Sequence, residues 1–192
     1  MNLFRTLSGA ALVCLAGGGL SSCLNPPNYP IVPEIDFKDV QVVRVPASNG
    51  NLATDTLKFA INFRDGDGDL GLSDQDITVA PWNADTGGPY GRGYKFNYFI
   101  RPFVFDISSR QFVPFTTPLA LGGFVGEYDG RYLRLDGADA KPAPLKGELR
   151  YKLPISLDGD IYRAGQVFRF EISIMDRALH QSNTITTSEV TL

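Results

Sequence analysis

The sequence predicts an all-β protein, an antiparallel sandwich of roughly seven to nine strands, and three observations carry that prediction. Apolar residues recur at every second position through much of the chain, which lines one face of a strand. Gly, Pro, Asn, Asp and Ser punctuate these runs at short intervals, as hairpin connections require. No segment carries its apolar residues at helical spacing. The alternation implies one buried and one solvated face per sheet.

Taken in order, weak alternation over residues 40–45 opens the series. Leu57, Phe59, Ile61 and Phe63 alternate with Lys58, Ala60, Asn62 and Arg64, a strong strand. Tyr94, Phe96, Tyr98 and Ile100 predict another, continuing through residues 103–105 to a turn at Ser108, Ser109 and Arg110 and a return over residues 111–115. A weaker strand fits residues 132–135. Leu145, Leu149, Tyr151, Leu153 and Ile155 form a further set, as do Phe168, Phe170, Ile172 and Ile174, and residues 184–192 close the series.

The first residues read MNLFRTLSGAALVCLAGGGLSSC: basic Arg5, a short apolar and small-residue run, then Leu20-Ser21-Ser22-Cys23. This is the layout of a secretory leader, and it is too short and glycine-rich for a membrane span of about 20 apolar residues. The four closing residues resemble the lipobox of bacterial lipoproteins. The resemblance implies a diacylglyceryl group on Cys23, cleavage just before it and acylation of the new amino group. An ordinary leader with a chance cysteine is the competing reading. Cys14 falls inside the leader, so Cys23 alone remains in the mature chain. An exported chain with no intramolecular disulfide to form fits lipidation better than stapling, and two or more acyl chains anchor stably.

The predicted organisation is therefore a leader over residues 1–22, a lipidated Cys23 with a proline-rich tether over residues 23–35, and one sandwich domain over residues 36–192. Removing 22 of the 192 residues leaves 170, with 17 basic and 21 acidic side chains and a formal charge of −4. That length suits a single core. The absence of a basic tract argues against nucleic acid as a partner. The expected location is the cell envelope, lipid-anchored to the outer membrane and facing the periplasm, since no acidic cluster follows Cys23.

The stretch FRDGDGDLGL, residues 63–72, raises the main chemical question. With Asp65 as position one of a twelve-residue loop, Asp67 and Asp69 fall at three and five, Gly71 at seven and Asp76 at twelve. Those positions supply oxygens to Ca²⁺ in EF-hand-type loops, position seven through its carbonyl. Two departures argue against an EF-hand. Leu70 stands at position six, where a sharp turn wants glycine, and Asp76 is a methylene shorter than the usual glutamate. Five carboxylates, Asp65, Asp67, Asp69, Asp74 and Asp76, crowd this stretch, so it either stays open and solvated or is held closed by a divalent cation. The expected affinity is that of extracellular modules, about 10⁻⁴ to 10⁻³ M. Downstream, DRALHQSN over residues 176–183 offers Asp176 as a further ligand or as a turn former.

The lipobox, the proline tether, the DGDGDLG loop and the DRALHQSN hairpin together resemble a family of uncharacterised bacterial lipoproteins with an Ig-like fold. That likeness implies an Ig-like or fibronectin-type sandwich and brings no assigned activity. His180 stands where the pattern has asparagine, and the paired cysteines around a tryptophan that mark antibody domains are missing.

A long Gly/Pro-rich stretch over residues 81–93 carries Trp82, Tyr90 and Arg92, with Tyr94 beyond it; these could stack on a sugar or planar ligand, or simply pack on the sheet edge. His180 is the only histidine, so zinc spacing is absent, and no nucleophile-elbow pattern occurs. The leading expectation is a non-enzymatic envelope module with a binding or structural role, anchored by lipid and braced by Ca²⁺, its partner an envelope protein or glycan. The alternative is a glycan-binding module of a polysaccharide-uptake system. A hydrolase using two of Glu34, Glu127, Glu148 and Asp106 is the third.

Overall fold

The computed structural model describes residues 27–192 except 125, 138 and 139. The leader, Cys23 and the first tether residues, to which the lipidation expectation applies, lie outside the described residues. Eight strands occur among those described: β1 (Glu34–Val45), β2 (Thr54–Asp65), β3 (Tyr98–Asp106), β4 (Gln111–Pro114), β5 (Leu145–Ser156), β6 (Val167–Ile174), β7 (Ile185–Thr186) and β8 (Val190–Thr191).

They form two antiparallel sheets, as the alternation predicts. One has three strands in the order β1-β2-β5; the other runs β4-β3-β6, with β7 and β8 both pairing with β6. In β2 every inward position from Asp55 to Asp65 is buried while the intervening side chains reach outward. Phe59 meets Phe170 of β6 across the sandwich, ring centroids 5.1 Å apart at 73°, an edge-to-face contact of the favoured kind. Leu57, Ile61, Tyr98, Ile100, Phe168 and Ile172 fill the same core.

Three expectations are corrected. Residues 94–97 are not strand: β3 begins at Tyr98, where pairing with Ile174 begins. Residues 132–135 are not strand either. The buried side chain of Asn97 takes their place in a ladder, accepting from Tyr132 N–H at 2.9 Å and donating to Tyr132 C=O at 3.0 Å. Residues 184–192 give two two-residue strands with a break between them.

The N-terminal segment is shorter as a free tether than its prolines suggest. β1 begins at Glu34, and before it the chain already touches the domain, Gly66 N–H donating to Pro30 C=O at 2.8 Å. Asn183 then grips β1 from the other side, accepting from Ile35 N–H at 2.8 Å and donating to Ile35 C=O at 2.9 Å. Its side chain imitates a strand neighbour, a role beyond the turn that its residue type suggests.

Candidate metal centre

Asp65 ends β2 on the inward side, so strand alternation rather than a loop carries its carboxylate under the end of the sandwich. The chain then turns away through Gly68 and Gly71, at φ of 72° and 93°. The sharp bend that an EF-hand places at position six falls instead on these two glycines, and Leu70 takes no left-handed conformation. Leu70 and Leu72 are buried and plug the sandwich end. Neither glycine admits a side chain: a Cβ would sit 2.2 Å from Ala143 O at Gly68 and 2.3 Å from Leu133 O at Gly71.

This path brings carboxylates together from two distant segments. One oxygen each from Asp65, Asp69 and Asp176 lie within 4.8 Å of one another. An isolated antiparallel bridge between Leu70 and Asp176 fixes the two segments in register, and Asp69 holds the hairpin by accepting from Arg177 N–H through its carbonyl and from Ala178 N–H through Oδ2 at 2.9 Å. Asp176 is buried and accepts from His180 N–H at 2.7 Å, with His180 Nδ1 2.9 Å from its other oxygen.

The hydrogen bonding is incomplete where it should be most complete. Asp65 is fully buried, yet neither of its carboxylate oxygens has a partner; Oδ1 of Asp67, Oδ1 of Asp69 and the Tyr132 hydroxyl are likewise buried and unpartnered. Buried polar groups in native proteins are almost always satisfied, and an unpaired buried carboxylate is costly. The electrostatics carry the same strain. Burial, and then the charges of Asp67, Asp69 and Asp176, push the Asp65 carboxyl up to about 7, with the nearby Gly68 N–H, too poorly placed for a normal hydrogen bond, pulling weakly the other way. Burial and the neighbouring Asp176 push Asp69 up to about 6, against the pull of Arg177. Burial raises Asp176 too, opposed by its bonds to His180. The Tyr132 hydroxyl is held well above its ordinary range by burial and by the same three aspartates.

Of the predicted ligands, Asp65, Asp69 and Asp176 converge, with Asp67 close enough to act on them through its charge. Asp76 and Gly71 are engaged elsewhere. The Asp76 carboxylate accepts from Ser73 N–H at 2.8 Å while Ser73 Oγ accepts from Asp76 N–H, a reciprocal cap, and Gly71 C=O accepts from Arg177 at 3.3 Å. Tyr132 is the participant that sequence reasoning missed, since its alternating neighbours read as strand.

The aromatic stretch is disposed differently from a flat platform. Trp82 is half-buried with its indole N–H unpartnered, and Tyr94 packs on the glycines of its own loop, 3.3 Å from a Cβ built at Gly87. Arg92 is committed to buried Asp129, at 2.7 and 2.8 Å to its two oxygens. Only Tyr90 is substantially exposed, with guanidinium carbons of Arg92 and Arg101 5.1 and 4.9 Å from its ring centre.

Fold and site together define an all-β sandwich with a carboxylate-lined end. Comparison with protein-family models, curated proteins and solved structures finds no match to this chain.

Proposed function

We propose that this chain is a non-enzymatic module of the cell envelope, held to the membrane through lipid on Cys23, whose sandwich end is braced by a bound Ca²⁺. The observation that carries the reading is Asp65, a fully buried carboxylate with both oxygens unpartnered, clustered with Asp69 and Asp176 and within reach of the charge of Asp67. Ca²⁺ takes six to eight oxygens at about 2.3–2.6 Å, so two ligands of one ion stand up to about 5 Å apart, the spread found here. Hard carboxylate oxygens without nitrogen or thiolate donors select Ca²⁺ or Mg²⁺ over zinc or copper. The irregular, glycine-bent path favours the larger, geometrically tolerant ion.

The cation's task is structural in this reading. It joins the end of β2 to the hairpin after β6, two segments whose four carboxylates otherwise repel. The leader and the cysteine at its end, with the acidic balance of the chain, support the envelope location. Thermal unfolding of the protein in EDTA and in 5 mM Ca²⁺ tests the brace. At the expected affinity, mass action stabilises the folded state by about 1–2 kcal/mol, a rise in Tm of a few degrees. An unchanged Tm overturns the brace.

A further inference from the structure

We propose that a groove on the outer face of β3 and β4, independent of the cation end, is a second binding site, one that takes an uncharged, ring-bearing lipophilic molecule. The groove has a volume of about 610 Å³, inside the range of ligand clefts. Its floor is apolar: Phe103 and Pro114 stand opposite one another across the β3–β4 ladder, with Phe115 beyond them.

The rim shows the same preference. Tyr90, Leu119 and Phe124 line the groove while remaining 43, 79 and 63% exposed. Single exposed apolar side chains need no explanation, but several converging on one concavity mark a binding surface. The Arg101 guanidinium ties rim to floor, lying 4.9 Å from the Tyr90 ring centre and 5.6 Å from that of Phe103, so the groove wall is a continuous aromatic and guanidinium surface against which a planar ring can lie.

Charge decides the class of occupant. Both cations at the groove are already answered, Arg92 by Asp129 at 2.7 Å and Arg101 by Glu171 at 3.1 Å. The carboxylate of Glu127 also lines the groove, accepting from Thr117 N–H at 3.2 Å, and no cation pairs with it among the described residues. An anion entering would meet that charge in a partly desolvated setting, where like charges repel strongly, and a cation would meet the guanidinium groups of Arg92 and Arg101 lining the same groove. A polyhydroxylated sugar fits poorly as well, because the hydroxyls of Thr117 and Tyr128 are bonded to each other at 2.9 Å, and Tyr128 to Tyr162 at 2.6 Å, rather than offered to a ligand.

Two dyes with one aromatic body test this. Titrated with uncharged N-phenyl-1-naphthylamine, the full chain is expected to show a saturable fluorescence component of one equivalent, the same in EDTA and in Ca²⁺. The sulfonated relative 8-anilinonaphthalene-1-sulfonate is expected to bind at that site about tenfold more weakly or worse. Leu119→Asp changes an exposed rim position, so the Tm should hold while the saturable component disappears. Glu127→Gln keeps the acceptor for Thr117 and should bring the two dyes to similar affinity. A saturable component that Leu119→Asp leaves intact, or none at all, overturns the site. Equal affinity of both dyes in the unaltered chain, or a sulfonate affinity that Glu127→Gln does not raise, overturns the assigned ligand class. Because the readout is the same with and without Ca²⁺, its failure leaves the cation brace standing.

Discussion

Without a cation, this protein should become less stable as pH rises from 5 to 7.5, the reverse of ordinary behaviour for an acidic domain. In the unfolded chain Asp65 ionises near its ordinary 3.8; in the folded chain burial and three neighbouring carboxylates hold it to about 7. Between those values the folded state keeps a proton that the unfolded state has given up. Linkage then lowers stability as pH rises through the window. Taken alone, the part of that shift lying between pH 5 and 7 corresponds to at most about 2.7 kcal/mol. Solvent screening and the shared titration of Asp65, Asp69 and Asp176 reduce this to about 1–2 kcal/mol. For a domain of this size that is a fall in Tm of roughly 2–8 °C. The carboxylates held below their ordinary range, Asp76, Asp106, Asp136, Glu148 and Asp158, act in the ordinary direction and lose their contribution only as pH falls below about 4.5, outside the window. Asp65→Asn supplies the control. In EDTA at pH 7.5 that variant should melt above the unaltered protein, by about 2 kcal/mol, and lose most of the pH slope. The assay is calorimetry in EDTA and in Ca²⁺ at pH 5, 6 and 7.5; Ca²⁺ should reverse the slope. A stability in EDTA that is flat or rising from pH 5 to 7.5 refutes the reasoning.

Three further outcomes follow from single contacts. Arg92→Ala leaves the buried Asp129 carboxylate without its cation and should cost about 3–5 kcal/mol in a urea titration. Gly66→Ala places a Cβ 2.4 Å from Tyr29 O and 2.8 Å from Pro30 O; limited proteolysis should then cut the segment before β1 far faster, with the core intact. Cys23→Ala should move the protein from the detergent phase to the aqueous phase in a Triton X-114 partition, because the proposed anchor is lost with the thiol.

How far the sequence speaks depends on whether a residue's partner is set by period or by path. β2, β5 and β6 were legible because alternation alone decides which face is buried, and Leu57, Leu149 and Phe170 lie inward as that period requires. Residues 132–135 alternate more weakly, and there Leu133 and Leu135 are exposed and no ladder forms. What decides there is a side chain 35 residues away, that of Asn97, and no local pattern carries that information. The aspartate spacing pointed to Asp65, Asp67 and Asp69, of which Asp65 and Asp69 come together with Asp176, while the twelfth position, Asp76, is instead engaged with Ser73. Asp176 could be suspected from its hairpin, but only the bridge between Leu70 and Asp176 brings it to the site. The pairing of Arg92 with Asp129, 37 residues apart, gave no signal in the sequence.

The hydrogen bond from Gly66 to Pro30 also sets a distance. If the sandwich first gripped the chain at β1, ten residues would separate it from a lipidated Cys23; gripped at Pro30, only the six from Leu24 to Tyr29 do. Fully extended, six residues reach about 20 Å. Under the proposed anchor the aspartate end is therefore the end nearest the bilayer, within two or three Debye lengths of its headgroups at physiological salt. The divalent ions that collect at an anionic lipid surface would then be the ones this end of the molecule meets.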